Sequence, residues 1–163
     1  MRRISQVFAI ALTFSCLFFG TSTAANSNPD EWDFLHWCVD RDRLTTEAKH
    51  TVEMLLEVAE TTDCDRAHAV LQQSDRLDLS EKSIADLRPL ATLTHITHLI
   101  LYGNRIRDIS PLETLIHLQQ LQIWDNCIED LTPIFNLPHL ISFNIGNRAN
   151  CKQRDRPLLG MNL

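Results

Sequence analysis

The sequence predicts an α/β solenoid, in which about four short leucine-rich coils stack their strands into a parallel sheet behind a helical N-terminal cap. Three observations carry that expectation. Segments beginning at Gln73, His95, His117 and His139 align end to end with a period of 22 residues. Apolar, asparagine and proline columns hold across the alignment. The residues before Gln73 follow helical spacing instead.

The chain starts with an export-like segment. Arg2 and Arg3 precede an uncharged apolar run, residues 7–20, and small residues at 21–25 offer cleavage after Ala24 or Ala25. The run is short for a membrane span, which takes about 20 residues. Cys16 suggests a lipid anchor, but Thr13 and Phe14 ahead of it suit lipoprotein processing poorly. Residues 1–25 are therefore read as a signal peptide and the mature chain as secreted or periplasmic, with no later membrane span and an expected monomeric state. Loss of this segment removes two of 15 basic residues and none of the 21 acids, leaving a formal charge of −8. Such a balance disfavours nucleic acid as a partner, because a phosphate backbone needs clustered Lys and Arg.

Residues 26–72 form the predicted cap. Trp32, Phe34, Leu35 and Val39 suggest a short first helix. Thr45 or Thr46 can cap a second, whose stripe is Val52, Leu55, Leu56 and Ala59. Asp63 can cap a third, CDRAHAVLQQ. Cys38 would then close the first helix and Cys64 open the third.

Residues 73–163 form the predicted solenoid with a C-terminal capping coil. Leu77, Leu99, Leu121 and Phe143 make one column; Leu79, Leu101, Ile123 and Ile145 the next. Alternation points these residues inward from a short strand, and stacked coils lie about 4.8 Å apart. One coil cannot bury its own leucines, so the stack does. Asn104, Asn126 and Asn150 are read as a ladder of turn asparagines, since a buried amide can both donate to and accept from backbone that no regular ladder reaches. Pro89, Pro111 and Pro133 keep each return segment from forming a long helix. In the last coil, Cys127 to Cys151 and Pro133 to Pro157 are 24 apart rather than 22, which implies two residues inserted between Ile145 and Asn150. Lys152 and Asp155 then replace apolar Ile128 and Leu131, as expected of an end coil facing water. Lys82 stands where the first coil should have Asn, the place where a different cap would join.

The segment HLILYGNRIRDISPLETLI resembles the 22-residue pattern LxxLxLxxNxIxDIxPLxxL of internalin-like bacterial leucine-rich-repeat proteins. The resemblance covers about residues 73–160. It implies a leucine-rich-repeat fold with a helical N-terminal cap and a role in binding, and leaves the partner open.

Four cysteines remain after residue 25, an even number that in an oxidising compartment favours disulfides over metal or catalysis. Their order permits three pairings. Position favours Cys38–Cys64 within the cap and Cys127–Cys151 between equivalent slots of successive coils, inside the roughly 4.4–6.8 Å Cα separation that a disulfide accepts.

The outward strand positions form a row: Arg76, Asp78 and Ser80; His98, Ile100 and Tyr102; Gln120, Gln122 and Trp124; Ser142, Asn144 and Gly146. Ile100, Tyr102 and Trp124 are expected to make an exposed patch edged by amides. His98, Ile100, Tyr102, Gln120, Gln122, Trp124 and Asn144 are the candidate partner-binding residues, because Tyr and Trp supply large rigid contact area at hot spots. His95, His117 and His139 form a column that could bind a metal or sense pH; a polar slot before each strand explains them more simply, and no metal or other cofactor is expected. No phosphate loop, HExxH, GxSxG or CxxC occurs, and the repeat accounts for the column Asp86, Asp108 and Asp130, so no catalytic residue is assigned. The function expected is recognition of a protein or peptide on the concave face. The alternatives are a structural envelope or assembly component and, last, a small enzyme of unfamiliar type.

Overall fold

The computed structural model describes residues 32–147 and Cys151. Three helices lead into the repeats: α1 (Phe34–Val39), α2 (Thr46–Val58) and α3 (Cys64–Gln73). Each begins on a side chain that satisfies an otherwise unpaired backbone amide. Asp33 accepts from the His36 amide, Thr45 from Ala48 and Asp63 from Arg66. On α2 the expected stripe Val52, Leu55, Leu56 and Ala59 is buried. On α1 the expected face is corrected: Phe34, Trp37 and Cys38 are buried, whereas Val39 is 65% exposed. The Asp33 cap starts the helix at Phe34, so positions three and four further on share the inner face and Val39 turns outward.

Four parallel strands follow in sequential order: β1 (Arg76–Asp78), β2 (His98–Ile100), β3 (Gln120–Gln122) and β4 (Ser142–Asn144). The register pairs Leu77, Leu99, Leu121 and Phe143 across the sheet, a uniform offset of one 22-residue repeat. The first three are 1% exposed and Phe143 is 50% exposed, since β4 is the last strand of the sheet. After each of the first three strands the chain turns at a left-handed residue, Glu81, Gly103 or Asp125, again 22 apart. Glycine takes this conformation without strain at Gly103, where φ is +72° and an added Cβ would lie 2.9 Å from the Glu81 side chain; Glu81 and Asp125 adopt it at some cost.

Asn104 and Asn126 occupy the first two rungs of the expected ladder and are almost wholly buried. The Asn104 oxygen accepts from the Lys82 and Ile84 amides, and its NH2 donates to the Leu79 and Leu101 carbonyls. Asn126 accepts from Ile106 and donates to Leu101 and Ile123. The expected third rung, Asn150, lies outside the described residues. Asn147 accepts from the Ile128 amide at 2.8 Å and bridges to Asn126. That pairing spans 21 residues, while the disulfide partners that follow are 24 apart. The extra residues therefore fall after Asn147, which makes the third described rung.

The return segments are short, each with proline in its first turn, where its missing N–H costs nothing: 3-10 turns at Arg88–Thr92 and Ser110–Thr114, and a single helical turn, α4 (Thr132–Phe135). Asp86, Asp108 and Asp130 each accept from the amide two residues on, which fixes the entry to these turns. The Thr132 hydroxyl and amide hydrogen bonds hold the Asp130 carboxyl below its usual range.

The cap and the coils share one continuous core running from Phe34 to Leu137. Their polar seam is local. The Thr51 hydroxyl donates to the Asp86 carbonyl at 2.7 Å, and the His50 ring meets the Lys82 carbonyl at 2.7 Å. Lys82 itself reaches Glu57 of α2 at 2.6 Å, so the residue that departs from the asparagine column ties the first coil to the cap. Among the described residues no helix is long and apolar enough to cross a membrane.

Candidate partner-binding face

The outward row lies on the face of the sheet opposite the core, and it is amide-rich. Gln120, Gln122, Ser142 and Asn144 are exposed on β3 and β4. Tyr102 and Trp124 follow β2 and β3 in the same column. Their rings stack at 4.8 Å between centroids with planes 3° apart. That spacing matches the distance between coils, so the ring planes lie side by side along the solenoid axis. Trp124 is 40% exposed and Tyr102 is partly buried.

Two expectations for this face change. Ile100 is only 7% exposed and is not part of an open apolar patch. The register sets it on a central strand between Asp78 and Gln122, with His98 and Tyr102 two residues to either side, so neighbours on the row cover it. Ile100 serves as a floor, and the exposed apolar surface narrows to Trp124. His98 is also partly buried, its Nδ1 2.8 Å from the Thr97 hydroxyl. The row ends at Gly146, a position named with the row but not among the binding candidates. A Cβ there would lie 3.9 Å from Trp124 Cβ, an ordinary van der Waals contact.

The histidines of the column make different contacts. The His95 ring is 2.9 Å from the Leu71 carbonyl at the junction with the cap, while His117 and His139 stack at 6.3 Å. The structure joins Cys38 to Cys64 and Cys127 to Cys151, with Cα separations of 5.7 and 5.3 Å. Arg41 lies over the first pair and donates to Cys64 Sγ at 3.3 Å.

No family model matches the sequence, and no curated protein matches it. Solved structures do. An internalin from Listeria monocytogenes, InlF, superposes with a TM-score of 0.53 at 26% identity, covering 64% of this chain and 33% of that one. The chain carries an internalin-like leucine-rich-repeat fold. Internalin C2 from the same organism is 40% identical over 39% of this chain and 28% of that one, with a TM-score of 0.38. The internalin-like chain thus spans about a third or less of the length of these proteins.

Proposed function

We propose that this internalin-like chain is an exported, non-enzymatic binding module that recognises a protein or peptide on the concave face of its solenoid. The observation that carries this reading is the Tyr102–Trp124 stack standing above a row of exposed amides. Two rings packed face to face are already ordered, so a partner gains apolar contact at little cost in side-chain entropy, and the amides around them provide hydrogen-bonding specificity. The export-like N-terminal segment and the two disulfides support an oxidising location.

Mature protein, immobilised and exposed to envelope and medium fractions of its native bacterium, is expected to retain a partner that the Trp124→Ala variant does not. Equal retention by both would refute the assignment. The apolar end of the last coil favours a second reading, assembly through the solenoid edge, because Ile141 and Phe135 are 82% and 78% exposed there. A stable oligomer unaffected by changes at Tyr102 and Trp124 would support that reading instead.

A further inference from the structure

His117 and His139 sit 22 residues apart, each in a tight turn that delivers the chain to β3 or β4. The Leu118 amide closes the first turn on the Leu115 carbonyl at 2.9 Å, and the Leu140 amide closes the second on the Leu137 carbonyl at 3.5 Å. Buried Leu115, Leu118 and Leu137 anchor these turns in the core. The Ile141 amide donates to the Gln119 carbonyl at 2.9 Å, which ties one coil to the next just beyond the histidines. The two exposed rings therefore project side by side, 6.3 Å between centroids with planes 4° apart. A hydrogen-bonding slot accounts for His95, whose ring meets the Leu71 carbonyl at 2.9 Å. It does not account for this pair: among the described residues neither ring has a hydrogen-bond partner.

We propose that His117 and His139 together bind one divalent transition-metal ion of the zinc–copper class. Imidazole nitrogens suit these ions, whereas magnesium and calcium take oxygen. A ring nitrogen bound at about 2.0–2.1 Å sets its ring centroid about 3.2 Å from the metal, so two imidazoles on one ion have centroids about 5–6 Å apart. The observed 6.3 Å lies just beyond that span, within reach of small rotations of two exposed side chains. The backbone is already in register, so little order has to be gained on binding. The four described cysteines are joined in disulfides, which leaves no thiolate among them to compete for the ion. Among the described residues no third His, Cys, Asp or Glu completes a cluster, so the ion keeps coordination positions for water or for a donor from a partner. It would lie between two described side chains and needs nothing from the far side of His139.

The test titrates the mature, oxidised protein with zinc chloride in a non-coordinating buffer and follows the imidazole nitrogens by long-range proton–nitrogen NMR. His117 and His139 are expected to shift together and to saturate at one ion per chain, while magnesium chloride moves neither. His117→Gln and His139→Gln, which change only exposed side chains, should each weaken zinc affinity at least about tenfold, since losing even a group that supports a metal ligand costs about that much. His36→Gln, at an exposed histidine of the cap, should leave the affinity unchanged. No saturable shift with zinc, a shift of one ring without the other, or the same shifts with magnesium would overturn the site. So would undiminished affinity in either single variant, or an equal loss in His36→Gln. The pair stands apart from the outward row, so its failure would leave the concave-face reading untouched.

Discussion

Replacing Asn104 by alanine tests the repeat at its most constrained point. The side chain is 1% exposed and serves two amides and two carbonyls, from Lys82 and Ile84 and from Leu79 and Leu101. These losses are unequal. The Leu101 carbonyl keeps the NH2 of Asn126 at 2.9 Å, and Lys82 is partly exposed, within reach of water. The cost falls mainly on the Ile84 amide and the Leu79 carbonyl, both served in the interior. At about 1–3 kcal/mol for each buried group left without its partner, Asn104→Ala should lose about 2–6 kcal/mol. Urea unfolding followed by far-UV circular dichroism measures the loss. Asn136→Ala, which removes an exposed amide donating to Glu113, is the control, expected within about 0.5 kcal/mol of the parent. A loss below about 1 kcal/mol for Asn104→Ala would show that the ladder is not what holds the turns.

Other consequences follow from the ends of the molecule. Non-reducing peptide mapping of exported protein is expected to recover Cys127 joined to Cys151. Replacing both by serine should raise hydrogen exchange at Phe143 and Asn144 while α2 keeps its protection; unchanged exchange would deny the bond any role in holding the last strand. At the other end, partial burial raises the Asp33 carboxyl pKa, but the hydrogen bonds from the His36 amide and ring outweigh it and hold the carboxyl below the usual aspartate range. A depressed carboxylate stabilises the fold above its unfolded pKa and loses that contribution as pH falls through the folded one. NMR titration should therefore place the Asp33 midpoint below that of an aspartate in an unstructured peptide, and Asp33→Asn should flatten the acid limb of stability; a midpoint at or above the peptide value would contradict the cap geometry.

Much of this was legible from spacing alone. The period of 22 carries the strand register, the inward leucines, the asparagine rungs and the Tyr102–Trp124 column, because stacked coils convert sequence offset directly into spatial neighbourhood. What escaped depended on phase or on neighbours. Val39 turned outward and Trp37, which the spacing had not picked out, turned inward because a cap one residue before Phe34 sets which side of α1 faces the core. Ile100 alternates correctly yet is covered, since burial on the outer face depends on side chains from adjacent coils. The rung at Asn147 was hidden because it pairs with Asn126 at a separation of 21 residues, one short of the repeat. The ring geometry of Tyr102 and Trp124 belongs to three dimensions.

The central claim is that the concave aromatic pair carries recognition. The most direct measurement is the dissociation constant of a captured partner for the parent protein and for the Tyr102→Ala/Trp124→Ala double variant, compared at matched folding stability. The account predicts a loss of at least about 2 kcal/mol, roughly thirtyfold in Kd, as expected when hot-spot aromatics are truncated. An unchanged Kd in a folded double variant would contradict it.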